Sequence, residues 1–134
     1  MPSFFKFRIL EGSRIESLPG MRMQEEDWRM QWAENLYLSD KTAKKGDKII
    51  KKANRGIGML SIYLITLASN PENLFDIFHA AHLKQPAFYK QDLYVVGIAS
   101  GYEEALELVQ RMIDNIYRKT GGFAVREYFG RTEN

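Results

Sequence analysis

Two stretches of the chain repeat one pattern, and they decide the fold that we expect: Tyr63-Leu-Ile-Thr-Leu-Ala-Ser-Asn-Pro-Glu-Asn-Leu-Phe-Asp76 and Tyr94-Val-Val-Gly-Ile-Ala-Ser-Gly-Tyr-Glu-Glu-Ala-Leu-Glu107. They lie 31 residues apart, and each begins with an apolar run that ends in Ala-Ser. In each, a glutamate follows the serine by three positions, a spacing at which the serine and glutamate side chains can cap the first turn of a helix. The pattern therefore predicts, twice, a strand that leads directly into a helix.

The residues around the two copies extend this prediction. The apolar runs predict strands over 62–68 and 93–99, apolar at nearly every position as in a parallel sheet covered by helices on both faces. Helices are predicted over 70–84 and 102–119. The second helix ends before Gly121, and its buried stripe is expected to contain Ala105, Leu108, Val109, Met112, Ile113 and Ile116.

The two ends of the chain add shorter elements. Alternation of Phe5, Phe7 and Ile9 with polar residues predicts a strand over 4–10. We interpret 1–20 as an N-terminal arm or an edge strand. Alternating residues also predict a last strand over 123–129.

A long helical region is predicted over 24–54. Carboxylates in its first turn favour the positive end of a helix dipole, and Trp28, Trp32 and Leu36 follow at intervals of four. A break near Asp40 divides the region into pieces over 24–38 and 40–54.

This order of strands and helices predicts an α/β fold: a single layered domain over 21–134 with a small, mainly parallel sheet. The internal repeat covers 62–77 and 93–108. The alternative is a ferredoxin-like α+β arrangement in which the N-terminal strand is inserted antiparallel.

Composition excludes several classes of site. The chain has 134 residues, a net charge of +2 and no cysteine, so disulfides, cysteine nucleophiles and cysteine-based metal sites are excluded. We expect a cytoplasmic location, no membrane partner and no cofactor, because no apolar run is long enough to span a bilayer and no cofactor motif is present.

Charge is concentrated between Lys41 and Arg55, where seven basic residues stand against one acid. On the predicted helix one face carries Lys41, Lys45, Lys48, Lys52 and Arg55. Such a row can follow the phosphates of a nucleic acid, although a plain solvated helix face explains it as well.

Two further groups of residues are candidate sites. Ser69, Asn70, Ser100 and Gly101 lie at the strand-to-helix corners, where open parallel sheets bind ligands and helix N-termini attract anions. Asp76, His79 and His82 are spaced by three on the predicted helix and could together hold a metal ion. Helix capping and a polar helix flank are the alternative explanations.

The segments 63–77 and 101–109, with Tyr117 and Thr120-Gly-Gly-Phe123 after them, resemble a group of small uncharacterised bacterial proteins. The resemblance brings no activity, cofactor or catalytic residue. Because no nucleophile is paired with a base in any known motif, we expect a non-enzymatic binding or adaptor domain. Its expected partner is another protein or a second copy of the chain. A nucleic-acid-associated protein and a small-molecule enzyme or sensor at the corners are the alternatives.

Overall fold

A computed structural model describes residues 7–10, 30–68, 72–84 and 93–130, which form one five-stranded sheet with helices against both faces. The strands are β1 (Phe7–Leu10), β2 (Met30–Leu38), β3 (Ile62–Leu67), β4 (Phe75–His79) and β5 (Leu93–Ser100). The helices are α1 (Gly46–Asn54), α2 (Tyr102–Thr120) and the single turn α3 (Val125–Tyr128), with a 3₁₀ helix over Ala80–Lys84. No helix in these ranges has the length and apolarity that a membrane crossing requires.

The strands lie in the order β1-β4-β3-β5-β2, and the sheet is mixed. The outer pairs, β1 with β4 and β2 with β5, are parallel, whereas β3 is antiparallel to both of its neighbours. The layered class is as expected, but a mainly parallel sheet is not observed. The ferredoxin-like alternative is not observed either, because β1 lies at the sheet edge and runs parallel to its neighbour.

Each face of the sheet buries its own apolar cluster. The first is formed under α2 and α3, where α2 contributes the predicted stripe of Ala105, Leu108, Val109, Met112, Ile113 and Ile116, all buried. The second is formed under α1, where Ile49 and Ala53 pack with Ile62, Leu64 and Phe78. The prediction that helices cover both faces of β3 and β5 is therefore confirmed.

Gly97 allows α2 to lie close to the sheet. The pairing of β3 with β5 shifts register between Ile65 and Thr66, so that two residues of β5 match one of β3. A Cβ atom at Gly97 would lie 3.2 Å from Ile65 Cδ1, 3.3 Å from Leu108 Cδ2 and 3.4 Å from Met112 Cε. Glycine therefore leaves room for the helix at the irregular part of β5.

The helix predicted over 24–38 is wrong in its described part, because 30–38 form β2. Trp32 and Leu36 are four residues apart, a spacing that fits one turn of a helix and also twice the two-residue period of a strand. Both side chains pack on the α1 side of the sheet. Residues 24–29, including Trp28, lie outside the described residues. The second predicted piece is shorter than expected, since turns precede α1 up to residue 45.

The helix predicted over 70–84 is also wrong. Residues 75–79 form β4, which pairs antiparallel with β3, and only the 3₁₀ helix follows. The connection from β3 to β4 is too short to hold a crossover helix, so the chain turns back as a hairpin. The first repeat copy is therefore two strands, whereas the second is a strand and a helix.

The strand predicted over 123–129 is replaced by the helical turn α3. Val125 and Phe129 are four residues apart, and both are buried beneath this turn. The strand expected within 4–10 is present as β1, an edge strand, and the rest of 1–20 lies outside the described residues.

Candidate functional site

A groove of about 630 Å³ lies between α1 and the segment 58–62 that leads into β3. Three lysines stand along one side of it, and apolar and hydroxyl side chains form the rest. The lining residues are Lys45, Lys48, Ile49, Lys52, Gly58, Met59, Leu60, Ser61, Ile62 and Ser100. None of these residues is acidic.

The lysines reach the groove because of their spacing on α1. Lys45 precedes the first turn, and Lys48 and Lys52 follow at intervals of three and four, so all three lie on one face. Ile49 and Ala53 lie on the adjacent face and anchor the helix in the core. Ammonium groups held side by side repel one another, and a bound anion relieves that repulsion.

The segment that faces the lysines is fixed at its start. The backbone N–H of Gly56 donates to Ala53 O, and that of Ile57 donates to Lys52 O, which is the Schellman arrangement after a helix. Gly56 takes a φ of 74°, as this ending requires. The chain therefore leaves α1 in a defined direction.

The same segment is fixed at its end. Ser61 has a φ of 70°, a left-handed conformation that is uncommon outside glycine, and its carbonyl accepts a 2.6 Å hydrogen bond from the backbone N–H of Gly101. Strained residues of this kind are held by surrounding structure and occur often at functional sites. Between these two anchors, Leu60 is 85% exposed and Ile57 is 38% exposed.

The structure brings three of the five predicted nucleic-acid-binding residues together and separates two. Lys45, Lys48 and Lys52 line the groove. Lys41 lies in the turns before α1, near enough to Glu104 to affect its ionisation, and Arg55 is the C-terminal cap residue of α1.

The predicted ligand residues at the second corner have different roles. Ser100 is the last residue of β5 and lines the groove, and Gly101 is the N-cap residue of α2. The expected cap by Ser100 and Glu103 is wrong. Gly101 has a φ of 96°, and Glu104 instead accepts a hydrogen bond from the Ser100 backbone N–H at 3.1 Å.

Glu104 therefore occupies the position at the start of α2 where an external anion would bind. A hydrogen bond from Ser39 is the main cause that holds the pKa of Glu104 below its usual value, and the Ser100 N–H and the charges of Lys41 and Arg111 contribute. The adjoining cleft is about 180 Å³ and is lined by Ser39, Asp40, Glu104, Glu107, Leu108 and Arg111. The corner residues Ser69 and Asn70 lie outside the described residues.

The proposed metal ligands do not share a helix face. Asp76 and His79 are on β4, and His82 follows in the 3₁₀ helix. The imidazole of His79 packs edge-on against Tyr63, with ring centroids 4.9 Å apart, and its Nδ1 accepts the Ala81 N–H. Across the described ranges, no three metal-ligating side chains lie close enough to hold an ion.

A tyrosine pair forms a second polar cluster, between β2, α2 and α3. Asn115 donates to Tyr37 Oη at 2.9 Å, and the hydroxyls of Tyr37 and Tyr128 are 3.0 Å apart. Burial is the main cause that raises the pKa of Tyr37 to about 12. The hydrogen bond from Tyr37, with a further one from Lys119, lowers the pKa of Tyr128. This chain of hydrogen bonds fastens α3 to the rest of the domain.

No known family model matches the chain, and neither the curated proteins nor the solved structures yielded a match. The groove is therefore interpreted from its own chemistry. The sequence indicated its lysines but not the exposed segment opposite them. The only sign of that segment was the apolar run Ile57-Gly-Met-Leu60, interrupted by glycine, after a lysine-rich helix.

Proposed function

We propose that this protein is a non-enzymatic binding domain whose groove holds an anionic, phosphate-bearing ligand. The observation that carries the proposal is the convergence of Lys45, Lys48 and Lys52 on one groove, among whose described lining residues none is acidic. Lysine binds phosphate as a point charge, and several lysines on one helix face give an affinity that falls with salt.

The surroundings of the groove favour binding over a dispersed surface charge. All seven basic residues between Lys41 and Arg55 are exposed. Asp47 is the single acidic residue in this stretch. Ser61 and Ser100 also line the groove, and serine hydroxyls can donate to ligand oxygens. The apolar floor of Ile49 and Ile62 supplies contact area beneath them.

Two double variants of equal net charge test this proposal. Lys48→Gln with Lys52→Gln removes charge from the groove, whereas Lys44→Gln with Lys51→Gln removes the same charge from exposed positions of the same region outside it. On a heparin column, the groove variant should elute at clearly lower salt than the control variant. Equal elution of the two variants would contradict the proposal, because net charge alone would then explain retention.

A further inference from the structure

The most exposed large apolar side chain of the described residues stands beside the lysine groove. Leu60 is 85% exposed, and Ile57 in the same segment is 38% exposed. A single exposed apolar side chain is common on protein surfaces. What distinguishes Leu60 and Ile57 is that both are exposed on one short segment beside a row of lysines. Leu60 also lines the groove with Lys45, Lys48 and Lys52.

The exposed position of Leu60 is fixed by the fold on both sides of it. The Schellman ending at Gly56 and Ile57 sets its start, and the left-handed Ser61, hydrogen-bonded to Gly101, sets its end. The indole of Trp32 also donates to Asn54 Oδ1 at 2.9 Å, which ties the end of α1 to β2. Because both ends of the segment are fixed, Leu60 loses less loop entropy on binding than it would in a free loop.

We infer that this surface docks on an anionic phospholipid membrane. Leu60 and Ile57 enter the interface between headgroups and acyl chains, and the three groove lysines meet lipid phosphates. This inference rests on the proposed function, and it assigns the bound phosphate to the headgroup of a lipid. Apolar side chains beside a cluster of lysines are the combination by which proteins lie on anionic membranes, since burial and charge attraction add.

The groove offers little of what a nucleic acid requires. Its described lining residues include no aromatic side chain on which a base could stack and no arginine for base readout. If the groove bound a nucleic acid, Leu60 would remain exposed to water beside the phosphate backbone. Binding to a membrane surface needs no spanning helix, so our expectation of no membrane partner, which rested on spanning segments, is revised here.

Co-sedimentation with vesicles tests the inference. Wild-type protein should bind vesicles of phosphatidylcholine that contain about one third phosphatidylglycerol, and should not bind phosphatidylcholine alone. Leu60→Ser should weaken binding about tenfold, as expected when a leucine no longer leaves water. Lys48→Gln with Lys52→Gln should weaken it about thirtyfold, and Lys44→Gln with Lys51→Gln much less.

Leu60→Ser changes an exposed side chain, so its thermal unfolding should match that of wild type. Heparin retention that depends on the groove, without binding to anionic vesicles, would overturn the membrane inference and leave the proposed function standing. Unchanged vesicle binding by Leu60→Ser would also overturn it. Tighter binding to a short DNA duplex than to vesicles, insensitive to Leu60→Ser, would replace the membrane with nucleic acid.

Discussion

Replacing Gly97 by alanine tests how closely α2 approaches the sheet. The new Cβ atom would lie between 3.2 and 3.4 Å from the side-chain ends of Ile65, Leu108 and Met112. All three neighbours are buried, so each can move only by disturbing other core residues. An added methyl group in such a core usually costs about 1–3 kcal/mol.

Alanine also gains about 0.5–1 kcal/mol in a strand, because it loses less backbone freedom on folding than glycine does. The net expectation for Gly97→Ala is a loss of about 1–2 kcal/mol in the free energy of unfolding, and Gly97→Val should lose more. Urea unfolding followed by circular dichroism measures this loss as a fall of about 0.5–1 M in the midpoint.

Gly122→Ala is the matched control, because a Cβ atom there meets nothing within 4 Å. It should leave stability unchanged or raise it slightly. Adding Met112→Ala to Gly97→Ala should recover about 1 kcal/mol relative to the sum of the single effects, since it removes one crowded neighbour. A Gly97→Ala variant as stable as wild type, or strictly additive effects, would refute the close packing described for α2.

Two pH-dependent predictions concern the polar clusters. The pKa of Glu104 is lowered, so this residue contributes stability that is present above its ordinary pKa of 4.5 and lost on acidification. Glu104→Gln should therefore be less stable than wild type at about pH 7, with a smaller difference at about pH 3. Denaturant titrations at the two pH values measure the difference, and a constant difference would contradict it. Tyr37, whose pKa is raised to about 12, contributes stability that is complete below pH 10 and lost as pH rises through 12. Tyr37→Phe should cost about 1 kcal/mol near neutral pH and remove the late-ionising tyrosine from the absorbance titration, whereas an unchanged titration would assign that pKa to another residue.

The sequence predicted an element correctly where its apolar residues matched the helical period or the strand pattern but not both. The stripe of α2 runs from Ala105 to Ile116, about three turns, so no strand could share its pattern. The helix ends before Gly121, which takes a left-handed φ of 79°. β3 was equally clear, because a nearly unbroken apolar run of six residues is too short for a buried helix and suits a central strand.

The sequence misled us where a spacing of four residues suits either element. Trp32 and Leu36 share a face in a helix and in a strand, and so do Val125 and Phe129. Pairing with β5 selects the strand for β2, whereas the packing of Val125 and Phe129 into the core beneath α2 selects the helical turn for α3. Such choices depend on residues distant in sequence, which local patterns do not contain.

Only part of the candidate site could be predicted from the sequence. The lysine face followed from helical spacing alone. The exposure of Leu60 did not, because it depends on how α1 and β3 meet and on the hydrogen bond between Ser61 and Gly101. The role of Glu104 was not predicted either, because the N-cap residue of α2 is Gly101, one residue later than the serine pattern predicted.

The most direct test of the groove is amide chemical-shift mapping with inorganic pyrophosphate as the probe. We predict that the largest shifts fall on the groove-facing residues of 45–52, on 58–62 and on Ser100, and that Lys48→Gln with Lys52→Gln abolishes them. Shifts centred on Glu104 at the start of α2, or on Lys119 beside Tyr128, would contradict the account and move the anion site elsewhere.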